Sequence, residues 1–126
     1  MSSLDSVRFF FMTAVYHRLC VVEMTSKVKI TVLRRFDQSE VFPNKSPIGQ
    51  TAPLKACELF KDGQEFMVEE NGAMPKGFCT SAWNTIFGNV RTLAFGGNFP
   101  WYTEKGAGVS CCADGLRPVV FKLERV

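Results

Sequence analysis

Histidine is nearly absent from this chain, His17 being the only one. A Ser-His-Asp triad needs an imidazole as its base, and His17 is too poorly placed to serve one. Close Cys-x-x-Cys pairs are missing too, and with them the ligand spacing of the common zinc modules. No uninterrupted apolar run reaches the roughly 18 residues that a membrane-spanning helix requires. Basic residues form no block. Lys27, Lys29, Arg34, Arg35, Lys61 and Lys76 are scattered, as on a solvated surface. With a formal net charge of only +3 and no basic stripe interleaved with aromatics, nucleic acid is not an expected partner. The glycines of Phe95-Gly96-Gly97-Asn98 and Gly106-Ala107-Gly108 lack the Gly-Lys-Ser/Thr ending of a phosphate loop. No internal repeat is present.

What remains is a chain of 126 residues, a length suited to one domain with a modest core. Its 46% hydrophobic and 21% charged content is ordinary for a soluble globular protein. Five cysteines are an odd number, so they do not all pair internally, and reduced thiols in a cytoplasmic protein are the simpler reading. The apolar run from Val7 to Tyr16 faintly suggests a signal peptide. Asp5 stands ahead of it against Arg8, however, His17-Arg18 interrupts it, and no small-x-small cleavage site follows. Met24-Thr25-Ser26-Lys27 reads like a natural start directly before the first clean strand. The expected division is therefore an N-terminal extension over 1–26, weakly ordered or an upstream start, and a single domain over 27–126.

Within that domain Lys27-Val28-Lys29-Ile30-Thr31-Val32 alternates strictly and predicts a half-buried strand. Residues 37–53, with Pro43, Pro47 and Pro53, predict a loop. Lys61-Asp62-Gly63 is a turn feeding a second strand over 64–69, which Glu70-Asn71-Gly72 closes. The acidic residues Asp62, Glu65, Glu69 and Glu70 suit a solvated turn and strand edge. Thr80-Ser81 offers hydroxyls that suit a helix N-cap. Beyond it Trp83, Ile86, Phe87, Val90, Leu93 and Ala94 recur at spacings of three and four, making one apolar stripe. Gly96-Gly97 ends the helix. The last segment predicts a hairpin turning at Asp114-Gly115. Together these elements give an α+β fold, a small, mostly antiparallel sheet with one main helix packed on it.

Three cysteines sit at the punctuation points of that plan. Cys57 approaches a strand, Cys79 precedes the helix, and Cys112 lies near the hairpin tip. With Asp114-Gly115 at the centre of the turn, Cys112 pairs across from Arg117 and shares a face with Val119, Phe121 and Leu123. Cys111 then points the other way, with Val109 and Val120, unless the register slips by one residue. A thiol just ahead of a helix lies near unpaired N–H groups and the positive end of the helix dipole, which favours the thiolate. Three readings of the trio stay open: thiolate ligands for a metal such as zinc or iron, redox or nucleophilic thiols, or small buried hydrophobes. Asp114 and Arg117 stand where they would tune thiol charge. Asn98-Phe99-Pro100-Trp101-Tyr102 offers rings that wall a small apolar pocket or plug the core.

Five blocks occur in order: Lys29-Ile30-Thr31-Val32, Gly63-Gln64-Glu65-Phe66, Gly77-Phe78-Cys79, Gly96-Gly97-Asn98-Phe99-Pro100-Trp101 and Cys112-Ala113-Asp114-Gly115-Leu116-Arg117-Pro118-Val119. Over residues 27–126 the chain resembles a family of small, uncharacterised microbial proteins of about 95 residues, sometimes tandemly repeated. The resemblance implies no activity. It does put emphasis on Cys57, Cys79, Cys112, Asp114, Arg117 and the Gly96–Trp101 block. Ala113 stands where that family usually has proline, and residues 1–26 have no counterpart in it. The expected protein is thus a cytoplasmic one with a cysteine-lined metal or thiol redox site. The alternative is a non-catalytic binding or assembly module, with structural cysteines and Trp101-Tyr102 meeting a partner. Self-association into a homo-oligomer is left open.

Overall fold

Alternation over Lys27–Val32 becomes strand β1 (Val28–Arg35), whose Val28, Ile30 and Val32 are fully buried. The computed structural model describes residues 26–126. The expected extension, with His17 and Cys20, lies outside the described residues, Ser26 excepted. Strands β2 (Glu65–Val68), β3 (Ala107–Cys111) and β4 (Val119–Arg125) join β1 in one antiparallel sheet, ordered β2-β1-β4-β3. One long helix, α2 (Thr80–Ala94), packs across it, and a single turn, α1 (Gln38–Val41), follows β1. The class is α+β.

The core lies between α2 and one face of the sheet. Val28, Ile30 and Val32 meet Phe121, Leu123 and Val119 of β4, together with Val68 of β2. From the helix come Ala82, Ile86, Val90, Leu93 and Ala94, while Trp83 and Phe87 sit half-buried at the edge of the apolar stripe. Loop aromatics finish the layer. Phe60 meets Phe121 edge-on at 5.3 Å between ring centroids, and Phe78 meets Phe66 at 4.9 Å. Such ring pairs add to simple area burial. The opposite face of the sheet is more open to solvent, as one face of an antiparallel sheet commonly is, and mixes charged residues with Met67, Val109 and Val120. There Lys29 bridges Glu65 and Glu124, and Lys122 bridges Glu104 and Glu124.

The C-terminus of α2 closes in a Schellman motif. Gly96 takes a left-handed φ of 87°. Its N–H donates to the Leu93 carbonyl and that of Gly97 to the Thr92 carbonyl. Arg125, at the end of β4, donates to the carbonyls of Leu93 and Gly97 and sets a cation at the negative end of the helix. The helix N-terminus differs from expectation. Neither Thr80 nor Ser81 is the N-cap residue. Cys79 holds that position with extended φ/ψ, and its side chain makes no capping hydrogen bond.

Three further corrections follow from local physics. Residues 37–53 are not loop throughout. The Glu40 carboxylate accepts a hydrogen bond from the Asp37 N–H at 2.8 Å and closes the single turn of α1. The β1–β4 ladder carries a bulge at Leu33, since Val32 pairs with Phe121 but Arg34 with Val120. One extra residue reverses the side-chain alternation beyond it, which turns Arg35 toward the helix-covered side. In the hairpin, Cys112 stands opposite Val119, not Arg117, and donates its N–H to the Val119 carbonyl at 3.0 Å. The register thus differs by two residues, and a shift of two keeps every side chain on its expected face. Cys112 does lie on the covered side and Cys111 on the exposed one.

Candidate functional site: a cysteine-lined cavity

Cys57, Cys79 and Cys112, from three separate segments, line one cavity of about 390 Å³. Asp114 and Arg117 of the hairpin loop line it as well, with Ser81 and Ala82 from the first turn of α2. Its apolar wall is Leu59, Phe60 and Val119. All three cysteines are half-buried and pack against the core, whereas Cys111 is exposed and outside the cavity.

Each wall is fixed by identifiable bonds. The segment Leu54–Cys57 belongs to no strand, so its backbone groups are met largely by side chains. Gln38 Oε1 accepts from the Leu54 N–H, and the Gln38 N–H donates to the Leu54 carbonyl. Arg117 donates Nη1 to the Lys55 carbonyl, Asp37 Oδ1 accepts from the Ala56 N–H, and Arg35 donates Nη1 to the Cys57 carbonyl. Gln38 is itself buried and satisfied by a reciprocal amide pair with Gln50. The bulge at Leu33 therefore has a consequence at the site. It aims Arg35 at the carbonyl that holds Cys57 in place.

The hairpin loop is built by Asp114 rather than by its glycine, since Gly115 has no positive φ. Asp114 Oδ1 accepts from the N–H groups of Leu116 and Arg117, and Oδ2 accepts from Arg117 Nε at 3.4 Å. Partial burial pushes the Asp114 carboxyl up, but the two amides and the Arg117 guanidinium outweigh it and hold the group below the usual aspartate value. Arg117 is in turn fixed at Nε by Asp114 and at Nη1 by Lys55. Its Nη2 has no partner among the described residues.

The three sulfurs are not equivalent. Cys112 Sγ accepts a hydrogen bond from the Val119 N–H at 3.2 Å. The sulfurs of Cys57 and Cys79 make no hydrogen bond among the described residues. No disulfide joins any of the described cysteines, all four of which are free. The trio also does not form a ligand set. Among the described residues, no group of three or more His, Cys, Asp or Glu side chains is disposed to hold a metal ion. The donor geometry thus does not fit the zinc or iron ion that the sequence suggested, because sharing a cavity wall is a looser condition than converging on one point at about 2.3 Å.

Trp101 and Asn98 stand elsewhere. Trp101 is 71% exposed and tilts against Phe99 at 5.5 Å between ring centroids. Asn98 Oδ1 accepts from the Gly106 N–H and from Arg125 Nη2, bracing the chain that leads into β3. Phe99 is the core plug of that block, seated against Gly108 so closely that a β-carbon there would lie 2.8 Å from the ring. Sequence reasoning missed Ser81, Leu59 and Phe60 as lining residues, and Arg35 as a brace. The bulge that recruits Arg35 leaves no mark in the alternation of β1.

No family model, no curated protein and no solved structure matches this chain. No helix among the described residues is long and apolar enough to cross a membrane.

Proposed function

We propose that this protein works through thiol chemistry in the Cys57–Cys79–Cys112 cavity, with Cys79 as the nucleophile and a small molecule as its target. The observation that carries this reading is the convergence of three cysteines and a braced Asp114–Arg117 pair, from distant parts of the chain, on one cavity. Cysteines that merely fill a core need no such company. At about 390 Å³ the cavity lies in the lower part of the roughly 300–1,000 Å³ range of small-molecule sites. Cys79 is the favoured nucleophile because its sulfur is unbonded and it borders a helix terminus without a side-chain cap. A cytoplasmic location fits, since it keeps thiols reduced.

Site-resolved alkylation of the native protein with iodoacetamide tests the reading. Cys79 is expected to react at least as fast as the exposed Cys111. A Cys79 that reacts only after unfolding would make it a packing residue and end the proposal.

A second reading rests on the exposure of Trp101, flanked by Phe99 and Tyr102. An exposed ring of that size suits a binding or assembly module, in which Trp101 meets a protein partner or a second copy of the chain. Sedimentation of wild type and Trp101→Ala distinguishes the self-association form. Equal monomer masses for both would remove it.

A further inference from the structure

We infer that the cavity selects small molecules carrying a carboxylate, and that Arg117 is the residue that receives it. The inference rests on the thiol reading above and adds the chemical class of the ligand. Arg117 lines the cavity and is held at two of its three nitrogens, Nε by Asp114 and Nη1 by the Lys55 carbonyl. The third nitrogen, Nη2, has no partner among the described residues. A guanidinium fixed in this way is a preorganised donor, because little rotamer freedom is left to lose when an acceptor arrives.

The charge pattern points the same way. Asp114 also lines the cavity, but both of its oxygens are occupied, Oδ1 by two backbone N–H groups and Oδ2 by Arg117. It has little capacity left to recruit a cation. Among the described residues no Lys or His side chain belongs to the lining, and Arg117 is its one basic group. Cys79 and Ser81 line the same cavity, with Phe60 and Val119 among its apolar members. A compact ligand with an anionic end, an apolar body and a centre reactive toward sulfur matches these walls.

Iodoacetate and iodoacetamide form a matched pair of probes, alike in size and differing in charge. In both reactions the cysteine sulfur forms a bond to the CH₂ carbon, the carbon–iodine bond breaks, iodide leaves, and the thiol proton goes to solvent. Labelling is read at each cysteine by mass spectrometry with fragmentation, which separates Cys111 from Cys112. The iodoacetate-to-iodoacetamide rate ratio at Cys79 is expected to exceed that at Cys111 by about fivefold, the scale of one solvent-screened ion pair. The excess should fall with added salt. It should vanish in Arg117→Gln and survive in part in Arg117→Lys, which keeps the charge without the fork. Asp114→Asn should raise it, since the neutralising carboxylate is gone while an amide oxygen still accepts the loop N–H bonds.

Equal ratios at Cys79 and Cys111, with both probes reacting, would overturn the carboxylate inference and leave the thiol reading standing. An excess untouched by Arg117→Gln, in a variant whose circular dichroism matches wild type, would overturn it as well. A Cys79 inert to both probes would end the thiol reading and this inference together.

Discussion

Replacing Arg35 with alanine separates the brace of the cavity from its thiols. Arg35 donates Nη1 to the Cys57 carbonyl at 2.9 Å and Nε to Asp62 at 3.1 Å. The Asp62 side chain is 56% exposed, so that ion pair contributes little, on the order of 0.5 kcal/mol. The bond to the part-buried Cys57 carbonyl is worth more, about 1 kcal/mol, because its loss strands an acceptor. The backbone bond from the Arg35 N–H to Asp62 is unaffected. Arg35→Ala should therefore cost about 1.5 kcal/mol and lower the melting temperature by roughly 6–12 °C for a domain of this size. Asp62→Asn, which keeps the acceptor, should cost well under about 1 kcal/mol. The stability change is read by thermal unfolding and the local change by iodoacetamide labelling, in which Cys57 should label several times faster while Cys111 is unchanged. Arg35→Ala with an unaltered melting temperature and an unaltered Cys57 rate would refute the chain of reasoning from the Leu33 bulge to the cavity wall.

Other consequences are more local. Gly108→Ala places a β-carbon 2.8 Å from the Phe99 ring and should cost about 1–3 kcal/mol by overpacking, measurable as a lower urea midpoint. Phe121→Ala, at a fully buried position touching Phe60 and Phe78, should cost about 3–5 kcal/mol, enough to unfold much of the population at 37 °C. Asp114 is held below its usual value of 3.8 in the folded state, so its contribution to stability is present above that pH and is lost as pH falls below it. Because the side chain is 41% exposed the effect is modest, and Asp114→Asn should flatten the acid limb of the unfolding curve only slightly. A steeper acid limb in the variant would contradict the sign.

Alternation and spacing carried the fold because they report faces and periods, which local errors seldom change. Cys112 illustrates this. Its partner is Val119 rather than Arg117, yet a two-residue displacement leaves it facing Phe121 and the helix. The six residues 113–118 replace the expected tight turn because the Asp114 carboxylate ties down the next amides, and side-chain acceptors of that kind are not visible in a hydrophobic pattern. Arg35 was illegible for a related reason. A bulge is a property of two strands together, so the Arg34-Arg35 pair reads as solvated charge when only one strand is considered. The stretch 54–57 offers no periodic signal, since its backbone is held by Gln38, Asp37, Arg35 and Arg117 from far along the chain. The cavity is where those non-local bonds meet. Its cysteines were recognisable, but not that, among the described residues, they form no three-ligand group disposed to hold a metal ion.

The most direct test of a shared cavity is mutual exclusion among its thiols. Native protein is treated with N-phenylmaleimide, and the distribution of labels over intact molecules is read by mass spectrometry. If Cys57, Cys79 and Cys112 line one space of about 390 Å³, the first adduct should obstruct the other two, so molecules carrying one label in the trio accumulate while Cys111 labels independently. A statistical distribution, with the three cysteines labelled independently of one another in folded protein, would contradict the account.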